Sequence, residues 1–169
     1  MTPDRSLIHP TLEYEQNLWK SNLTRIAGID EAGRGAWAGP VCAAAVILPP
    51  DPGMVYTLDK VRDSKLMTPL TREYWAPCIK TAALGWGVAF ASALEIDLLG
   101  ILRATRLAAT RALSSLNPEY LLTDYLIFPG LELPQTALVK GDQRSLSVAA
   151  ASVLAKTSRD AWMRKLDER

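Results

Sequence analysis

Apolar residues fall along this chain in short continuous runs separated by stretches of helical period, and several of the runs stop at an acidic residue. Residues 25–30 (RIAGID) and 41–48 (VCAAAVIL) read as buried strands, because brief apolar runs bounded by turn residues suit a strand covered on both faces. The turn between them is short enough to make them antiparallel neighbours. Residues 84–93 (LGWGVAFASA) alternate in strand fashion, with Gly85 and Gly87 marking a close approach. Residues 120–124 (YLLTD) and 136–140 (TALVK) complete a set of five strands, and the Pro-rich stretch 49–53 stops the second.

Helices are predicted between these runs. Tyr14 and Leu18 are four apart and Leu12 and Trp19 seven apart, the spacing of a short helix in an N-terminal extension, residues 1–24, packed on a main domain of residues 25–169. Residues 51–67 form a long connection ending in Asp63-Ser64-Lys65, after which Thr68 and Pro69 supply an N-cap and a first helical position. Leu70, Tyr74 and Ile79 give that helix its apolar positions, and Pro77 is expected to kink or break it. Ser92 and Glu95 have the spacing of a capping box, opening what reads as the longest helix of the chain, with Leu98, Ile101, Leu102, Ala109, Ala112, Leu113 and Leu116 in helical period. Arg103, Arg106 and Arg111 then fall on its solvated surface. Residues 126–135 read as loop. Ser145 caps a final helix whose first half, 148–155, is small, apolar and closely packed, and whose charged second half, 156–169, emerges into solvent. Strands alternating with helices imply parallel pairing among the later strands, so the fold class is α/β, a mixed sheet flanked by helices.

Composition narrows the function. At 169 residues, 49% hydrophobic and 22% charged, the chain fits one globular domain, and a net charge of +1 excludes a wholly basic nucleic-acid-coating protein. Cys42 and Cys78 sit among apolar residues, as free thiols in a reducing compartment or as one bridge. A single histidine, His9, rules out a His/Cys zinc cluster, so any metal is hard and oxygen-bound. The N-terminus has no apolar signal core, and the charge-free stretches 36–50 and 81–94 are shorter than the roughly 20 residues that span a bilayer. A soluble, cytoplasmic protein with no membrane partner is expected.

The candidate chemistry lies in the acids. Residues 26–40 (IAGIDEAGRGAWAGP) deliver Asp30 and Glu31 from a strand into the turn Gly33-Arg34-Gly35, and two later strands end at Asp124 and near Asp142. Functional groups in layered α/β sheets gather at strand ends. Carboxylates converging there repel one another unless a divalent cation sits among them. Spacing alone leaves two readings open, a metal cage or ordinary loop carboxylates. Asp51, Asp59, Glu95, Asp97, Asp160, Asp167 and Glu168 lie in connections or on helix surfaces, where a structural role suffices.

These segments together resemble the type 2 ribonucleases H, bacterial ribonuclease HII in particular. The resemblance rests on Tyr14-Glu15 with Leu18-Trp19, GIDEAGRG at 28–35, AGPV at 38–41, DSK at 63–65, EID at 95–97, ILRAT at 101–105, Asp124, KGD at 140–142 and AAASVLAKTSRD at 149–160. It implies a ribonuclease H-like fold with a five-stranded mixed sheet. It further implies an endoribonuclease that hydrolyses the RNA strand of RNA/DNA hybrids and incises 5′ of single ribonucleotides in duplex DNA, leaving 3′-hydroxyl and 5′-phosphate ends. Metal binding and catalysis are assigned to Asp30, Glu31, Asp124 and Asp142, holding two Mg²⁺ or Mn²⁺ ions. Gly33, Arg34 and Gly35 are assigned to the 2′-hydroxyl that distinguishes RNA from DNA, and Ser64, Lys65, Lys156 and Arg159 to phosphates. Residues 25–169 are then the catalytic domain, and a monomer is expected. The chain departs from the family at Gly100, usually asparagine, at Tyr125, commonly glycine, and at Ala36-Trp37, more usually a Pro-Leu pair. The family usually continues into a segment carrying a sugar-stacking tyrosine, whereas this chain stops at Arg169. The alternative implied is a truncated form that binds hybrid with weak or no turnover.

Overall fold

The computed structural model describes residues 9–168. Residues 1–8, where the leader and the start of the N-terminal extension were read, and Arg169 lie outside the described residues. Five strands form one sheet: β1 (Ile26–Ala32), β2 (Val41–Ile47), β3 (Gly85–Ala91), β4 (Tyr120–Asp124) and β5 (Gln135–Leu138), in the order β3-β2-β1-β4-β5. β1 pairs antiparallel with β2, and β2 with β3, while β1–β4 and β4–β5 are parallel, as the alternation of elements requires. The helices are α1 (Glu13–Trp19), α2 (Met54–Thr57), α3 (Pro69–Ala82), α4 (Ala93–Leu99), α5 (Ile101–Leu113) and α6 (Leu146–Asp167).

All seven residues of β2 are buried, which explains its unbroken apolar run: both faces of the sheet are covered. Cys42, Ala44 and Val46 pack with α6, α3 and α2, and Val41, Ala43, Ala45 and Ile47 pack with α5. Small residues allow helix backbones to ride close on the sheet. A Cβ on Gly28 would lie 2.2 Å from the backbone of Ser147, and one on Gly87 would lie 2.0 Å from the carbonyl oxygen of Ala112. Because strand side chains alternate, Asp30 faces the same side as Gly28 and is thereby set against α6. α1 is fixed at the start of α6. Buried Glu15 accepts hydrogen bonds from the Ser145 and Ser147 hydroxyls at 2.6 and 2.7 Å and from the Ser147 amide at 3.0 Å, an acid at a helix N-terminus.

Four expectations need correction. Pro77 lies inside an α3 that continues through it; Pro77 and Glu73 are both exposed, so the carbonyl deprived of its donor lies on the side of the helix that faces water. The helix read as continuous from Ser92 is two, α4 and α5, separated at Gly100, whose φ of +76° only glycine adopts freely. The capping box of Ser92 and Glu95 is present, but the longest helix is α6, at 22 residues. The expected surface placement of the α5 arginines holds, with Arg103 and Arg111 exposed, and there Arg106 Nε donates to the Ile127 carbonyl at 2.9 Å and Arg111 to the Phe90 carbonyl at 2.8 Å and to Glu95 at 2.6 Å. Finally, within the charged half of α6, Arg159 is buried. Cys42 and Cys78 are free, with burial pushing the Cys42 thiol up to about 12. Among the described residues no helix is long and apolar enough to cross a membrane.

Candidate metal centre and the recess beside it

The parallel pairing of β1 and β4 ends with Ile29 opposite Thr123, which brings Asp30 and Asp124, the next residue on each strand, out side by side. Asp124 then accepts a hydrogen bond from the Gly141 amide at 2.7 Å, which draws in the short 3₁₀ turn Gly141–Gln143 and with it Asp142. Two non-glycine residues adopt left-handed backbone at this junction, Tyr125 (φ +62°) and Lys140 (φ +56°), one after each converging strand. One carboxylate oxygen each from Asp30, Asp124 and Asp142 lies within 4.8 Å of the others. Asp30 and Asp142 are buried and Asp124 half-buried.

Such a group is electrostatically unfinished. Burial pushes the Asp30 carboxyl well above the usual carboxylate range, and the charges of Glu31 and Asp124 push it further, against the pull of the Glu31 amide at 2.7 Å and the Ser152 hydroxyl. Asp142 rises to about 7 through burial, the charges of Asp63 and Asp124, and a hydrogen bond shared with Asp63. Burial raises Glu31 too, opposed by Arg34, whose guanidinium donates to its carboxylate at 3.1 Å. Buried carboxylates whose charge is disfavoured for want of a counter-charge, presenting only hard oxygens at close range, fit a divalent cation such as Mg²⁺ or Mn²⁺.

The three aspartates expected at the strand ends thus meet, whereas Glu31 stands beside them with its carboxylate toward Arg34. Glu31 and Asp30 line a recess that also holds Gly33, Arg34, Gly35, Ser64, Lys65, Lys156 and Arg159, every substrate-contact residue expected from sequence. Their situations differ. Gly35 has open space around it and Lys65 is exposed. Ser64 is buried and accepts from the Ser152 hydroxyl at 2.8 Å, and Lys156 reaches Asp160 at 2.7 Å. Arg159 turns two of its donors to the loop, Nε to the Pro40 carbonyl and Nη2 to the Ala38 carbonyl, both at 2.9 Å. It lies beneath Gly33 (φ +107°), where a Cβ would come 2.3 Å from Arg159 Nε, and so supports the loop.

Sequence reasoning placed Asp63 and Ser152 within recognised motifs but gave neither a role at the site. Buried Asp63 caps the turn of Ser64 and Lys65, accepting from the Lys65 amide at 2.9 Å and from Gln143 at 3.1 Å. Ser152 is inconspicuous within an alanine-rich run, yet Ser152, Lys156 and Arg159 are spaced four and three apart, a polar stripe on one face of α6. That stripe was the available signal.

A mixed five-stranded sheet carrying clustered aspartates at its parallel strand ends, with a glycine-rich and basic recess alongside, defines a metal-dependent nuclease of the ribonuclease H-like fold. The family model for ribonuclease HII matches residues 27–169, and the chain belongs to the ribonuclease HII family; it is a metal-dependent endoribonuclease. It is 50% identical over 164 residues to the ribonuclease HII of Synechococcus sp. (strain JA-3-3Ab), spanning 95% of this chain and 73% of that protein. Among solved structures, the ribonuclease H2 of Pyrococcus horikoshii OT3 superposes with a TM-score of 0.73 at 28% identity, over 85% of this chain and 76% of that one. Bst-RNase HIII in complex with Mn²⁺ shares the fold, with a TM-score of 0.71 at 21% identity over 90% of this chain and 58% of that one.

Proposed function

We propose that this protein hydrolyses the RNA strand of RNA/DNA hybrids and incises duplex DNA on the 5′ side of single ribonucleotides, leaving 3′-hydroxyl and 5′-phosphate ends. The observation that carries the reading is the convergence of Asp30, Asp124 and Asp142, oxygens within 4.8 Å, from a strand, a parallel neighbour and a 3₁₀ turn. These three, with Glu31 beside them, would hold two Mg²⁺ or Mn²⁺ ions, which when bound supply an activated water and neutralise charge on the scissile phosphate and departing oxygen. Burial and mutual repulsion prepare the aspartates for that charge.

The remaining residues bind and orient. Gly33, Arg34 and Gly35 bring backbone and a guanidinium to the edge of the recess, where the 2′-hydroxyl of a ribose is the group that marks RNA. Lys65 and Ser64, on a turn capped by Asp63, face the phosphates, and Lys156 lines the same recess. Arg159 acts mainly through the loop it supports. Incubation with a labelled duplex holding one ribonucleotide tests the reading. Incision that requires Mg²⁺ or Mn²⁺, 5′ of the ribonucleotide, is expected; binding of hybrid with no incision in either ion would instead identify a binding form without turnover.

A further inference from the structure

Trp37 stands apart from the other tryptophans of the chain. Its relative exposure is 105%, against 39% for Trp86 and 38% for Trp162. Trp86 lies under the Lys80 ammonium, 4.3 Å from the ring centroid, and Trp162 lies 6.3 Å from Phe90. The Trp37 ring touches no aromatic or cationic partner among the described residues. It nevertheless stands on a fixed backbone. The Ala36 amide closes a turn onto the Gly33 carbonyl at 3.1 Å, and Arg159 holds the Ala38 and Pro40 carbonyls at 2.9 Å on the other side. The residues immediately before it, Gly33 to Ala36, line the recess with Asp30 and Glu31. A large, flat, apolar ring is thus presented to water beside the residues read as sensing ribose.

We infer that Trp37 is a substrate-positioning residue that packs its ring against the sugar of a nucleotide neighbouring the one read by Gly33-Arg34-Gly35. The minor groove of an A-like hybrid is wide and shallow and displays sugars, so a ring held at the recess edge meets a ribose or deoxyribose face without parting the base pairs. Aromatic packing on nucleic acid tolerates any base, and a fixed backbone lets the ring bind with little ordering cost. This inference rests on the hybrid-cleaving reading above.

Trp37→Ala and Trp37→Phe, assayed on a hybrid with Mg²⁺, test it. Trp37→Ala should raise KM about tenfold with kcat and thermal midpoint unchanged, since the exposed ring buries nothing within the chain, and Trp37→Phe should restore most of the lost affinity. In an Asp30→Asn background, hybrid should shift tryptophan emission, and the added Trp37→Phe change should remove that shift. A wild type that cleaves hybrid with a Trp37→Ala KM equal to its own overturns the inference alone. So does loss of self-association in Trp37→Ala, which would make the ring a protein contact. A wild type that neither binds nor cleaves hybrid overturns the hybrid-cleaving reading, and this one with it.

Discussion

At the end of β1 the chain buries Asp30 against two further aspartates, yet five residues later Gly35 has open space around it and Trp37 stands in water. The two stretches are almost contiguous in sequence and opposite in physics. The cluster is assembled by backbone: parallel strands, a 3₁₀ turn tied to Asp124 by the Gly141 amide, and a helix brought close by Gly28. Its stored repulsion is useful only to a cation. The loop has little packing of its own and takes its shape from an arginine reaching up from α6. Chemistry here is held by desolvation, recognition by a few directed hydrogen bonds, and the two should fail differently when perturbed.

The largest expected effect is at the cluster. Asp30→Asn keeps the shape and an oxygen that can accept the Glu31 amide, but removes one charge from the set. Hydrolysis should fall by about 10³-fold or more, the loss of several kcal/mol of transition-state stabilisation. Stability should move the other way. The Asp30 carboxyl lies above its ordinary value of 3.8 in the folded, metal-free protein, so folding favours the protonated form. That contribution is full below the unfolded value and is lost as pH rises through the range between the two. Asparagine has nothing to lose, so in chelator the variant should melt higher than wild type at pH 8 and no higher at pH 4. Mn²⁺ should raise the midpoint of wild type more than that of the variant. A large destabilisation at both pH values would make Asp30 structural.

Arg159→Ala attacks the loop at an intermediate scale. Removing a buried guanidinium that serves two carbonyls should cost about 2–3 kcal/mol, and the released loop should raise KM for a ribonucleotide-containing duplex more than it lowers kcat. Arg159→Lys keeps the charge without the fork and should recover little of either. Chemical denaturation and steady-state kinetics on the same proteins decide between two roles: a raised KM with unchanged stability, recovered by lysine, would make Arg159 a direct phosphate contact.

Much of this was legible from residues. The strands announce themselves as apolar runs, and the strand-end placement of Asp30, Asp124 and Asp142 needed only the alternation of elements to suggest a common edge. What a linear pattern could not show is where a helix gives way or which polar group turns inward. Leu98 and Ile101 keep helical period across Gly100, yet Leu98 is 74% exposed, because the chain changes direction at a single positive φ. Pro77 looked like a breaker and is tolerated on an exposed face. Asp63 shapes both Asp142 and the Lys65 turn, although only its neighbours Ser64 and Lys65 in the DSK motif drew a role from sequence. Glu31 sits next to Asp30 in sequence but turns to Arg34, a difference set by side-chain direction at the strand's end.

The smallest effect would sharpen the contrast most, because it asks whether the cluster side also carries backbone strain. Tyr125 follows Asp124 directly and holds φ at +62°, a conformation that costs an ordinary residue about 1–2 kcal/mol. Its side chain is 71% exposed, so little packing offsets that cost, while its amide bonds the Leu138 carbonyl at 3.0 Å and ties β4 to β5 beyond their last pair. Tyr125→Gly keeps the amide and relieves the strain, but glycine loses about 0.5–1 kcal/mol more backbone entropy on folding. The balance is a gain of about 0.5–1 kcal/mol, read as a midpoint higher by roughly 2 °C. On the loop side the left-handed positions are already glycine, Gly33 and Gly39, so no equivalent gain is there to be had. A midpoint that falls instead would show that the Tyr125 ring contributes a contact worth more than the strain, and the asymmetry between a strained cluster and a relaxed loop would disappear.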